Sequence, residues 1–120
     1  MVLVDTSVWV DHFRRGDEGL VRRLHADEVV MHPAVLGELA GGNLRNRAAT
    51  LALLADLRPL PPAADAEVMH LLEVQRLHGR GLGWIDLHLL AACRVGGAAL
   101  WTKDAALAAA ARELGVAPPP

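Results

Sequence analysis

Four carboxylates spread along this 120-residue chain, Asp5, Glu38, Asp86 and Asp104, are the side chains best suited to chemistry. Each borders an apolar run, where a carboxylate needs compensation. Asp5 ends the run Met1 to Val4 and begins Asp5-Thr6-Ser7, Asp86 stands at the head of the apolar stretch Ile85 to Val95, and Asp104 follows the run Ala98 to Trp101. The plainest explanation for Asp5, Asp86 and Asp104 is a carboxylate at a helix N-terminus, worth about 0.3 to 1 kcal/mol. Glu38 resists that explanation, because Val35, Leu36 and Leu39 surround it and no basic partner stands at helical spacing. Two carboxylates about 4 Å apart repel by roughly 4 kcal/mol at a typical effective dielectric, so a cluster demands protons or a cation. Oxygen ligands without a His or Cys cluster suit Mg²⁺ or Mn²⁺ rather than Zn²⁺. Such an ion can lower the pKa of a bound water and neutralise negative charge that develops in a reaction.

Four acids so far apart in sequence meet only if the fold gathers them. Met1 to Val4 reads as a strand and Val8 to Phe13 as an amphipathic helix after the capping cluster Asp5-Thr6-Ser7. A turn around Gly16 leads to a helix through Leu20, Val21 and Leu24, and Glu28 to Met31 is a second strand. Pro33 opens a helix that stops at Gly41 and Gly42. Arg45 to Leu57 is predicted as helix, Arg58 to Leu60 as a short strand, and Ala64 to Leu77 as helix after the break at Pro61 and Pro62. His78 to Gly83 is a loop, Ile85 to Val95 a helix, Ala98 to Thr102 a strand and Lys103 to Leu114 the last helix, with Val116 and Ala117 available as a short edge strand. Alternating strands and helices predict a parallel sheet with helices on both faces. In such a sheet helix N-termini collect at the carboxyl edge, where ligands bind, and all four acids map to that edge.

Composition narrows the class. Apolar residues make up 52% of the chain and aromatics 3%, which predicts an aliphatic core. Cys93 has no partner for a disulfide, the opening segment lacks a basic leader, and no uncharged apolar stretch is long enough to span a bilayer, so a cytoplasmic protein without a membrane role is expected. The net charge of −2 does not advertise a nucleic-acid binder, but the arginines concentrate in loops and on exposed helix faces, as a phosphate-binding rim requires. Arg80, in the glycine-bearing loop, and Lys103, beside Asp104, are the candidate phosphate contacts. Ser7 lacks a Gly-x-Ser-x-Gly setting, no Gly-Lys-Ser/Thr follows a glycine loop, and the six histidines show no metal-ligand spacing. Trp9, Trp84 and Trp101 are expected in the core or at a dimer contact, with Trp84 near enough to the predicted site to stack on a base.

Asp5-Thr6-Ser7 after the first strand, Glu38 in the helix after the second, Gly83-Trp84-Ile85-Asp86-Leu87-His88-Leu89-Leu90 and Thr102-Lys103-Asp104 together resemble the PIN-domain ribonucleases, and within them the bacterial VapC toxins. The likeness runs over essentially the whole chain. It implies an α/β fold over a single domain, residues 1–120, with three α/β/α layers and a short parallel sheet flanked by helices. It further implies Mg²⁺- or Mn²⁺-dependent endonucleolytic cleavage of a structured RNA such as tRNA or rRNA to arrest growth, a cognate VapB-type antitoxin and a homodimer. Carried over residue by residue, it makes Asp5, Glu38, Asp86 and Asp104 the groups that bind or position metal, directly or through water. A hydroxyl of Thr6, Ser7 or Thr102 would orient a ligand or water, although Thr6 and Ser7 also suit plain helix capping. Many relatives carry a further acid just after the Thr-x-Asp motif, where this chain has Ala105 and Ala106, so the choice between one metal and two stays open. The alternatives are a PIN nuclease of RNA processing without toxicity, a catalytically silent RNA-binding or assembly module, and a phosphatase with a closed pocket.

Overall fold

The computed structural model describes residues 1–119; Pro120 lies outside them. The elements run β1 (Val2–Val4), α1 (Thr6–Arg15), α2 (Glu18–His25), β2 (Val29–Met31), α3 (Pro33–Gly41), α4 (Arg47–Ala55), β3 (Arg58–Pro59), α5 (Asp65–Val74), α6 (Trp84–Gly96), β4 (Ala99–Trp101) and α7 (Ala105–Glu113). The four strands form one parallel sheet in the order β3-β2-β1-β4. Because crossovers between parallel strands are right-handed, the pairs α1–α2 and α3–α4 cover one face and the return through α5 and α6 covers the other. The result is the expected three-layer α/β/α arrangement. Chain direction across the sheet reverses at the β1/β4 neighbours, and the crevice beyond such a reversal is where open parallel sheets bind ligands.

The central strands are Val-Leu-Val and Val-Val-Met, buried on both faces, as a doubly covered parallel sheet demands. Leu87, Leu89, Leu90, Ala91, Ala92 and Cys93 are buried from α6, which buries more residues than any other helix among the described residues. Burial pushes the Cys93 thiol up to about 12, so it packs as a small apolar group rather than as a nucleophile. Gly97 ends α6 in the left-handed conformation, and a Cβ on Gly96 would stand 2.6 Å from Leu60, so the paired glycines both stop the helix and let it approach the end of β3. Pro59 is tolerated because β3 is an edge strand.

Boundaries move for local reasons. α4 begins at Arg47 rather than at Arg45, because Asn46 takes a left-handed φ of 46°. α5 ends at Val74, short of Leu77, where Arg76 turns to a φ of 52°. The edge strand expected at Val116 and Ala117 reduces to one hydrogen bond, Leu100 N donating to the Val116 carbonyl at 2.7 Å, with no ladder.

Candidate active site

Asp5 leaves the end of β1 beside Trp101 of β4, whose carbonyl accepts its backbone N–H at 2.9 Å. It is 8% exposed and occupies the N-cap position of α1, yet its side chain makes no capping bond. The carboxylate bonds side-chain hydroxyls instead of the helix backbone. Its Oδ2 accepts the hydroxyls of Ser7 at 2.8 Å and Thr102 at 2.7 Å. These hydroxyls are themselves tied down: Ser7 Oγ accepts from Lys103 N at 3.0 Å, and Thr102 Oγ1 accepts from Asp104 N at 3.1 Å. One connected set of short side chains thus spans β1 and the β4–α7 junction, with Asp5 at its centre.

The capping explanation holds for the other two aspartates. Asp104 is the N-cap of α7 rather than part of its first turn, and its Oδ1 accepts from Leu107 N at 2.9 Å. Asp86 sits in the first turn of α6, where its Oδ2 accepts from Gly83 N at 2.9 Å. Burial pushes the Asp86 carboxyl above its ordinary range; the Gly83 N–H opposes the shift, and the negative charges of Asp5 and Asp104 add to it. Asp5, Asp86 and Asp104 therefore share one electrostatic neighbourhood at three helix N-termini, whose dipoles favour negative charge. Each spends one oxygen on a neutral donor, and its other oxygen meets no protein hydrogen bond among the described residues.

Glu38 reaches the site by another route. It is exposed in α3, and Thr6 Oγ1 donates to its Oε1 at 2.8 Å, so the residue after Asp5 holds it. The three hydroxyls thus address two of the four acids, Ser7 and Thr102 on Asp5 and Thr6 on Glu38. None of the four acids forms an ion pair among the described residues, whereas Asp11, Asp27, Glu28 and Glu113 all do.

Sequence reading did not single out His32. It is 3% exposed and lies two residues beyond the Leu3–Val30 pairing, alongside Asp5 on the neighbouring strand. Its Nδ1 accepts from Ala34 N at 3.0 Å and caps α3, which places the ring proton on Nε2, and that atom is buried without a partner among the described residues. Burial, with the nearby His88, holds its pKa below the usual histidine value, so it is neutral at neutral pH. Its place at the end of a strand and directly before Pro33 was the available signal. Trp84 packs edge-on against His88 with ring centroids 4.6 Å apart and remains half exposed.

The two cations named from sequence are already engaged. Arg80 forks onto Glu113 at 2.6 and 3.0 Å, and Lys103 bonds Asp11, which also accepts from Arg15 at 2.7 Å. Among the described residues no three His, Cys, Asp or Glu side chains close into a ready cage for an ion. An open rim of unspent carboxylate oxygens nevertheless fits Mg²⁺, which keeps much of its water, takes one or two carboxylates from the protein and fills other positions from substrate phosphate.

Comparison with known proteins places the chain in a family. The family model for the PIN domain matches residues 2–113. The chain is 49% identical over 118 residues to Ribonuclease VapC32 of Mycobacterium tuberculosis, in both strain CDC 1551 / Oshkosh and strain ATCC 25618 / H37Rv, covering 98% of this chain and 95% of the relative.

Proposed function

The chain belongs to the PIN-domain family, among the VapC-type proteins, and we propose that it is a divalent-metal-dependent endoribonuclease, the toxin of a toxin–antitoxin pair, that cuts a structured RNA such as tRNA or rRNA in the cytoplasm to arrest growth. The observation that carries the reading is the set of acids without cations. Asp5, Asp86 and Asp104 gather at the sheet's switch point with neutral donors alone, and Asp86 bears the cost as a raised pKa. In this reading Asp5, Asp86 and Asp104 hold Mg²⁺ or Mn²⁺, with Glu38 contributing directly or through water. When bound, the ion supplies charge neutralisation at the phosphodiester and acidifies the attacking water.

The chain's own residues do the rest. Ser7 and Thr102 fix the Asp5 carboxylate, so that its other oxygen faces the substrate side without rotating away. Thr6 restrains the longer Glu38, whose exposed carboxylate is the group best placed to take a proton from water. Lys103 and Arg80 contact RNA phosphates once these displace Asp11 and Glu113 from them, an exchange of one anion for another. The partners we assign are a VapB-type antitoxin and a second copy of the chain. The exposed Val74 and Val95, which line a groove of about 460 Å³ between α5 and α6, offer that second copy an apolar surface.

The direct test is cleavage of end-labelled tRNAs and rRNA fragments by purified protein with Mg²⁺, Mn²⁺ or EDTA, beside Asp5→Asn. Discrete cuts abolished by EDTA and by the substitution are expected. Cuts that survive both mark a contaminant, and a protein that binds no divalent metal overturns the mechanism in favour of a non-catalytic module.

A further inference from the structure

Glu38 lines a second groove, of about 670 Å³, between the C-terminal half of α1 and the α3–α4 segment. Its walls carry Arg14 and Arg45, two arginines without an ion-pair partner among the described residues. That sets them apart from Arg15, Lys103 and Arg80, which Asp11 and Glu113 already engage. Phe13 lines the same groove, 42% exposed, with its inner side backed by Trp9 at a centroid distance of 5.8 Å and an angle of 29°. An exposed aromatic ring braced from beneath is a preorganised stacking surface. Asn43 and Asn46, the latter in the left-handed conformation, add to the lining amides that can donate and accept.

Resting on the ribonuclease reading above, we propose that this groove carries the single-stranded RNA flanking the cut, with Arg14 and Arg45 on successive phosphates, Phe13 stacked on a base, and Asn43 and Asn46 reading base edges. Unpaired guanidinium groups favour a polyanion, since it meets them with no ion pair to break. Glu38 lines the groove and is bonded by Thr6, the residue after Asp5, so the groove adjoins the acids. Single-stranded RNA is read by this combination of phosphate contact, stacking and edge hydrogen bonds, and the groove holds all three kinds of group.

The test uses the full chain carrying Asp5→Asn, which retains its other three acids, and a fluorescein-labelled unstructured RNA 12-mer followed by anisotropy across a NaCl series in Mg²⁺. Arg14→Ala with Arg45→Ala is expected to weaken binding by roughly tenfold and to flatten the slope of log K against log salt by about 1.4, the loss of two single-strand phosphate contacts. Phe13→Leu weakens binding with the slope unchanged, and Phe13→Tyr restores it. Arg112→Ala, on the last turn of α7, removes a charge without either effect. With Asp5 restored, the loss in kcat/KM of the double variant sits mainly in KM. A double variant that binds and cuts RNA as the parent does overturns the proposal, leaves the nuclease reading standing and gives the groove to a polypeptide instead. RNA that neither binds nor is cut with Asp5 in place overturns both.

Discussion

Asp5 and Asp11 flank the first turns of one helix, and the fold treats them oppositely. Asp11 collects Lys103 and Arg15, which hold its carboxyl below the ordinary range, with the Lys103 hydrogen bond the larger cause. Asp5, more deeply buried, receives only hydroxyls. Cations are within the chain's reach at this edge, since Lys103 directly follows the Thr102 that bonds Asp5, yet the lysine turns to the rim. The rim carboxylate meets cations supplied by the chain, and the central one meets none among the described residues.

The largest way to break this contrast is to neutralise the centre. Asp5→Asn is expected to lower RNA cleavage by more than the roughly 10- to 100-fold that outer partners of metal ligands typically carry, read as kcat/KM in Mg²⁺. Removing the props comes next: Thr102→Val keeps the shape but loses the hydrogen bond to Asp5, and activity or metal affinity should fall by about 10- to 100-fold.

Asp86→Asn should separate function from stability. Its carboxyl is raised in the folded state, so ionisation above the unfolded value near 3.8 opposes folding, and the penalty vanishes once pH falls below that value. The variant is therefore expected to be inactive yet to melt a few degrees higher at pH 7 without metal, with no gain at pH 3. Adding Mg²⁺ should raise the Tm of the parent and not that of the variant. Smallest of all is Arg15→Ala at the exposed rim, expected to leave Tm and cleavage near the parent's values at 150 mM salt, because such pairs are screened and individually weak.

Much of the framework was legible because it is local. Pro33 before an apolar helix, Gly96 and Gly97 after one, and short Val-rich runs state where elements start and stop. The positions of the acids followed from topology, since a parallel sheet gathers strand ends and helix starts. What hydrogen-bonds to each acid was not legible. Thr102 meets Asp5 only through the β1–β4 pairing, and Glu113 captures Arg80 across a helix packing that no spacing rule encodes. His32 was overlooked for the same reason, its burial set by neighbours distant in sequence, and Glu38, surrounded by apolar residues in sequence, turned out exposed because it faces the groove rather than the core.

The contrast between Asp5 and Asp11 can be measured without RNA. Titrating Mn²⁺ into the parent, Asp5→Asn and Asp11→Asn, with free ion followed by its paramagnetic resonance signal, counts the ions that each protein holds. The account predicts binding by the parent and Asp11→Asn and its loss in Asp5→Asn. Equal binding by all three, or none by the parent, would contradict it.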